Sequence, residues 1–414
     1  MLSPPAHPRP EPLDPPANRP TSSPYAFVPT FCPWRGCPAH TDHARFAWRR
    51  YGSYRRLAAP FLIPRFRCLV CRRTFSTQTF SPTYYLKRPE LLAQVAAKVT
   101  NAACDRHVRR SVKGNPHYAA HVDVGAAGST ITRLLPRLGR HAALVLAELN
   151  AQVAIREPLV ADDFETFARL QLHAVALPTV VGGESSWVHA LDLAPHLRGG
   201  RRTPAQRRRE RRLRAEGRLP DPAARERAWE RAVAALLARV PAAETLRLDS
   251  DDAPAIARAL ARSPHAGRIR HRAWRNPPRG PKGSPPGPAA RARDGALFEV
   301  DQLHRWFRHS LAHDRRETLA FARCVNALFA RHLVFALQRG VIQPRRERHR
   351  DDGTPAMRLG LLPRPLSWPD LLERRRFLAL SPPLPTTWSA AYFERLPTLG
   401  NLPSRRRLPY FPRN

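Results

Sequence analysis

The stretch PLVADDFETF, residues 158–167, decides how the chain is read. Its apolar start at Leu159 and its β-branched and aromatic content mark a strand. Yet that strand carries two adjacent aspartates, Asp162 and Asp163, in a protein of formal net charge +37. QLHAVALPTVV (171–181) and SSWVHALDLAP (185–195) repeat the buried-strand pattern, so three consecutive strands are expected to form an antiparallel meander. A basic insertion over 198–222 follows, then a helix AARERAWERAVAALLARV, a strand ETLRLDSD (244–251), a helix APAIARALARS and a short strand GRIRHRAW (267–274). After a Pro/Gly loop over 277–290, one long helix is expected from near Glu299.

The order β-β-β-α-β-α-β-α resembles that of a ribonuclease H-like domain, and it places Asp162 on the central first strand beside Asp251 on the fourth. Two close carboxylates repel each other, and a hard divalent cation with oxygen ligands removes the repulsion. A third carboxylate from the last helix, Asp301, completes a two-metal site of the kind that drives in-line phosphoryl transfer. Asp163, Asp249 and Asp252 read instead as caps or as partners of arginines. On the last helix Asp301, Arg305 and Arg308 share a face, opposite an apolar stripe of Leu303, Phe307 and Leu311.

Upstream, FCPWRGCPAH and RFRCLVCRRTFSTQTF hold Cys32-x4-Cys37 and Cys68-x2-Cys71, with 30 residues between the pairs. Thiolates at such short spacing take adjacent corners of a tetrahedron, which predicts a structural Zn2+ with no open position. The alternative replaces one of Cys32 or Cys37 by His40 or His43. Cys104 and Cys324 read as ordinary core cysteines. RPELLAQVAAKVT and STITRLLPRLGRHAALVLAELNAQ, around a Gly-containing turn, have the outline of a helix-turn-helix, with a kink or break expected at Pro136. Its DNA contacts are expected from Arg106, Arg109, Arg110, Arg133 and Arg137, with base reading near Ser129 and Thr130 and further contacts from Arg305 and Arg308.

The 414 residues hold 70 Lys and Arg against 33 Asp and Glu, and only Lys87, Lys98, Lys113 and Lys282 are lysines. Such an excess of guanidinium implies a polyanion partner whose binding weakens with salt. No run reaches the roughly 18 apolar residues that span a bilayer, and no signal peptide opens the chain. A soluble cytoplasmic, nucleoid-associated protein without membrane partners is expected.

Together CPWRGCP, RFRCLVCRRTFSTQTF, YYLKRPELL, DDFETF and DSDDAP resemble bacterial insertion-sequence transposases of the DDE type, over roughly residues 25–345. The resemblance puts the first catalytic aspartate on Asp162 and the second on Asp251. In LFEVDQLHRWFRHSLAHDRRETLAFAR, counting back seven from Arg308 gives Asp301, with Glu299 and Asp294 as alternatives. It implies a multidomain α+β chain, a zinc ribbon plus helix-turn-helix followed by a ribonuclease H-like mixed-sheet α/β catalytic domain. Structural Zn2+, catalytic Mg2+ or Mn2+, double-stranded DNA (element ends and target) and a homo-oligomer on DNA come with it. The rival is a non-catalytic zinc and helix-turn-helix DNA-binding protein derived from a transposase. The expected divisions are a disordered Pro-rich tail (1–24), zinc module (25–85), helix-turn-helix (86–150), catalytic domain (156–340) and Arg/Pro-rich tail (341–414).

Overall fold

The structure, a computed structural model, describes residues 27–58, 60–101, 128–278, 280–281, 284–315, 320–346, 352–378 and 383–398, with backbone alone for 128–132. The expected amino-terminal tail, Cys104, Arg106, Arg109 and Arg110 lie outside these residues, as do the side chains of Ser129 and Thr130. The described chain is α+β and divides into two compact units. One holds residues up to Pro89 together with Leu366–Leu378; the other holds the rest.

In the first unit, strands β1 (Trp48–Arg55), β2 (Leu62–Cys68) and β3 (Thr74–Ser76) form an antiparallel sheet in that order. Its core is aromatic. Phe75 lies 5.6 Å from Phe66 and 5.7 Å from Phe80, which meets Phe31 edge to face at 5.1 Å. Phe80 also accepts, through its carbonyl, the backbone N–H of Phe377, so part of the expected carboxy-terminal tail is built into this unit.

The second unit begins with α1 (Leu91–Val99) and α2 (Gly128–Ala151). Strands β4 (Leu159–Phe167), β5 (His173–Gly182), β6 (Val188–Leu191) and β7 (Ala194–Leu197) follow. Next come α3 (Pro204–Ala215), α4 (Ala224–Leu237), β8 (Leu246–Asp251), α5 (Pro254–Ala261) and β9 (Ile269–Trp274). The chain continues through α6 (Pro288–Ala296), α7 (Phe298–Ser310), α8 (Val325–Val341), α9 (Pro355–Arg358) and, past α10 (Trp368–Glu373) in the first unit, α11 (Thr386–Phe393). The six strands make one mixed sheet, β6-β5-β4-β8-β9, with β7 also on β5. β4–β5, β5–β6 and β5–β7 are antiparallel, whereas β4–β8 and β8–β9 are parallel.

Alternation along β4 builds the layers. Leu159 and Ala161 join Leu246 and Leu248 of β8 under Trp229, Val233 and Leu236 of α4 and Ile256 of α5. Val160, Asp162 and Phe164 therefore face the other side, where Phe164 meets Phe307 of α7 at 5.1 Å.

Three expectations are corrected. Helix α2 is no short recognition helix: it runs through Pro136 without a break and packs along α8. It is covered on nearly all sides, for its leucines, alanines and valine are buried and so are its polar residues Arg137, Arg140, His141 and Glu148. Arg137 is 0% exposed and Arg140 is buried as well, so Arg137 is withdrawn as a DNA contact; Arg133 is exposed. The long helix from Glu299 is two, because α7 turns extended at Leu311 and Asp314 is drawn into the interior, where its Oδ1 accepts from Thr166 at 2.8 Å and its Oδ2 lies 3.1 Å from His332 Nε2. Finally, Glu90 onward belongs with the sheet, so α1 and α2 are not part of a separate domain.

A Cβ at Gly139 of α2 would strike the Cβ of Ala330 on α8 and lie 2.8 Å from its Cα. Backbone cannot yield cheaply there, so Gly139→Ala is expected to cost about 1–3 kcal/mol, read as a lower midpoint of thermal unfolding.

Candidate functional site

Two clusters stand out. In the first unit the knuckle at Cys32–Cys37 is closed by the N–H of Cys37 donating to the Trp34 carbonyl at 2.9 Å, and the second knuckle by the N–H of Cys68 donating to Arg73 at 3.0 Å. These turns aim four sulfurs inward. Cys32 Sγ lies 3.7 Å from Cys71 Sγ and Cys37 Sγ 3.9 Å from Cys68 Sγ, and all four are within 4.8 Å of one another. Sulfurs at 2.3 Å around a tetrahedral zinc stand about 3.8 Å apart, so the donor set fits such an ion.

Electrostatics agree. Burial pushes the Cys32 thiol far up, and the neighbouring Cys68, Cys71 and Cys37 push it further. Burial also raises Cys37, whereas at Cys68 the burial penalty is outweighed by hydrogen bonds from the backbone N–H groups of Cys71 and Val70, which lower it. Four thiolates together need a cation. His40 does not complete the set: burial holds it neutral, and its Nδ1 is 2.7 Å from the Cys32 carbonyl, so it orients a ligand's backbone. His43 is exposed and stacks on Phe31 at 5.4 Å.

The second cluster lies on the α7 side of the large sheet. β4 and β8 pair in register through Ala161↔Ser250, so the next positions, Asp162 and Asp251, lie side by side. Asp162 Oδ1 accepts the N–H of Asp163 at 2.7 Å, and its Oδ2 is 3.6 Å from His304 Nδ1 on α7. Asp251 Oδ1 is buried with no hydrogen-bond partner among the described residues. Burial, then the charges of Asp162 and Asp163, push the Asp251 carboxyl up to about 7.

Asp301 is bound differently from the expectation. Its Oδ2 accepts from Arg293 Nη1 of α6 at 2.5 Å, while Arg293 also reaches Asp294 at 3.3 Å. Burial opposes the charge on Arg293, yet Asp301, Asp294 and Asp162 hold it on, and Arg293 in turn lowers Asp251. One guanidinium thus faces four acids. Among the described residues the four cysteines alone gather three or more metal-ligating atoms within 4.8 Å, so Asp162, Asp251 and Asp301 do not meet at that distance. Of the two alternatives for the third acid, Glu299 is taken by Ser186 and by Arg345, each at 2.5 Å, and Asp294 leans on Arg293.

Of the other aspartates, Asp252 pairs with an arginine at the surface as expected, Asp163 pairs with one while buried, and Asp249 meets a tryptophan instead. Asp163 points to the opposite face, to Arg225 at 2.7 Å and Trp229 Nε1 at 3.1 Å. Asp249 accepts from Trp274 Nε1 at 2.7 Å, and Asp252 pairs with Arg275. Arg305 is exposed beside Gln302, but Arg308 is spent on the carbonyls of Asp314 and Glu165 and on the ring of Phe164 at 4.7 Å. Sequence reasoning missed His304 and Arg293. The first sits one helical turn after Asp301, a spacing that shares a face and was available as a signal.

Two outcomes follow. The purified protein is expected to hold one zinc per chain by metal analysis, and Cys68→Ser to lose it and unfold the first unit, since structural zinc contributes about 10–16 kcal/mol in comparable sites. A carboxyl raised in the folded state keeps its proton there between its ordinary value and about 7, so it withdraws stability as pH rises through that window. Asp251→Asn is therefore expected to raise the melting temperature at pH 8 by a few degrees (about 2–4 °C per kcal/mol), the gain shrinking as pH falls toward 4. Compared with known proteins, the chain matches no family model, no curated protein and no solved structure, so its functional reading rests on these residues.

Proposed function

We propose that the chain is a DNA transposase of the DDE type, whose ribonuclease H-like sheet carries Asp162 and Asp251 as its catalytic acids with Asp301 as the third. The observation that carries this reading is the pair Asp162 and Asp251, adjacent on the parallel central strands β4 and β8, with one Asp251 oxygen buried and unbonded. Numbered in order of appearance, the strands run 3-2-1-5-6 across the large sheet, with the fourth also on the second, antiparallel in the first half and parallel in the second, an order that supports this reading. An Mg2+ or Mn2+ ion bound there would activate an oxygen nucleophile and offset charge on a DNA phosphate. The orphaned Asp251 oxygen fits that group; Asp301 fits it once Arg293 releases it. His304 lies 3.6 Å from Asp162 on the α7 side, and the many arginines supply the attraction for a DNA backbone. On this reading the chain acts on double-stranded DNA, at element ends and target, as a homo-oligomer.

The Arg293–Asp301 ion pair favours a second reading, a non-catalytic DNA-binding protein derived from a transposase, because the pair neutralises the third acid with a protein cation. Nicking separates the two. With Mn2+ or Mg2+ and a labelled duplex bearing the element end, the wild-type protein is expected to cut. Asp162→Ala is expected to lose cleavage by at least a thousandfold, or about 4 kcal/mol of barrier, while its DNA affinity holds or rises. Undiminished cutting by this variant would sink the assignment, and no cutting by the wild type would favour the second reading.

A further inference from the structure

We infer that the β1–β2 ribbon of the first unit is a duplex-DNA-binding surface, with Arg49, Arg65 and Arg67 on DNA phosphates and Tyr51 holding two of these guanidiniums in place. Residues 27–89 contain twelve Lys and Arg against a single acid, Asp42. That acid is paired with Arg45. Strand β1 is at the sheet edge, and every residue after Trp48 is exposed along it.

The ladder pairs Arg49 directly with Arg67, and Arg65 follows two residues along the same face. Like charges opposite each other across a ladder destabilise it. No carboxylate among the described residues pairs with Arg49, Arg50, Arg55, Arg65 or Arg67, so the ribbon carries an unbalanced positive face. The register shifts around Gly52 (φ +75°), and Tyr51 beside it turns its ring under both guanidiniums, 5.4 Å from Arg65 and 5.8 Å from Arg67. Arg67 Nε also donates to the Arg72 carbonyl at 3.0 Å. These cations are fixed in place by an aromatic ring and a backbone carbonyl, which lowers the ordering cost of meeting an anion.

The partner is argued from shape as well as charge. Strand β3 pairs only with Arg65–Arg67, so beyond it the ladder of Ser53–Arg55 on Leu62–Pro64 projects as a two-stranded antiparallel ribbon, one of the two protein elements that a B-DNA major groove, about 12 Å wide, admits. Fixed arginines interleaved with a tyrosine suit a phosphate backbone better than a fluid lipid surface does. The surface uses none of the residues that the sequence named as DNA contacts, and it needs no catalytic acid. It deepens the reading of the chain as a DNA-binding protein, and it stands or falls apart from nicking.

The test is anisotropy of the full-length protein on a fluorescein-labelled 30-base-pair duplex across a salt series, with phosphatidylserine vesicles as the competing anionic surface. Arg49→Gln/Arg65→Gln/Arg67→Gln is expected to bind roughly tenfold or more weakly at low salt and to flatten the slope of log K against log salt by about 2–3. Its zinc content reports on folding. Arg49→Gln alone, at an exposed side chain, is expected to flatten the slope by about 1 without disturbing the fold. An unchanged slope in the single variant and in a zinc-loaded triple variant overturns the inference. So does a loss confined to vesicles. Asp162→Ala, which targets cleavage, is expected to leave the slope unchanged, so failure of the ribbon and failure of the catalytic reading give different results.

Discussion

Parallel pairing of β4 with β8 cannot be made by a tight turn, and the chain commits α3 and α4 to the return path before β8 can lie down beside β4. Everything in the second unit depends on that return. The pairing joins an antiparallel meander to a parallel edge, seats α4 and α5 over one face through Trp229 and Ile256, and leaves the other face to α7. It also forces two carboxylates together. Asp162 and Asp251 are neighbours because Ala161 and Ser250 are paired, and a slip of one residue would turn one of them toward Arg225 on the far side.

The two clusters solve like-charge crowding in different ways. In the first unit four sulfurs converge with no protein cation among them, so the arrangement calls for a metal. In the second, a guanidinium from α6 already lies among the acids, held there by Asp301, Asp294 and Asp162. A protein cation is tethered and directional where a metal ion is neither, which is why Asp301 is well satisfied while one oxygen of Asp251 is left without a bond.

Much of this was legible in the sequence. Alternation on a strand is enough to separate Asp162 from its neighbour Asp163, and the arginine partners of Asp163 and Asp252 match their reading, whereas Asp249 is held by a tryptophan that the sequence did not point to. The cysteine spacing gave the thiol cluster because ligand geometry is local. Arg293 was not legible, since nothing in a run of many arginines marks the one that a distant strand will claim. The end of α7 was missed for a similar reason: periodicity continues past Leu311, and only the buried contacts of Asp314 with Thr166 and His332 stop the helix there. Helix α2 misled because a glycine-bearing turn before an apolar helix suits a recognition helix and a buried one equally, and the difference lies in what covers Arg137.

The guanidinium of Arg293 has a consequence for how such a protein ages. Four carboxylates, Asp162, Asp251, Asp294 and Asp301, against one guanidinium leave the cluster with a charge of −3 when all ionise, so loss of Asp162 or Asp251 brings it closer to balance and leaves Arg293 its partner Asp301. For Asp251, whose Oδ1 is buried without a hydrogen-bond partner, folding therefore exerts little pressure to keep the acid. On the proposed catalytic reading, a lineage released from selection for chemistry would shed it first while retaining a well-packed sheet, whereas loss of a single cysteine would break up the thiol cluster.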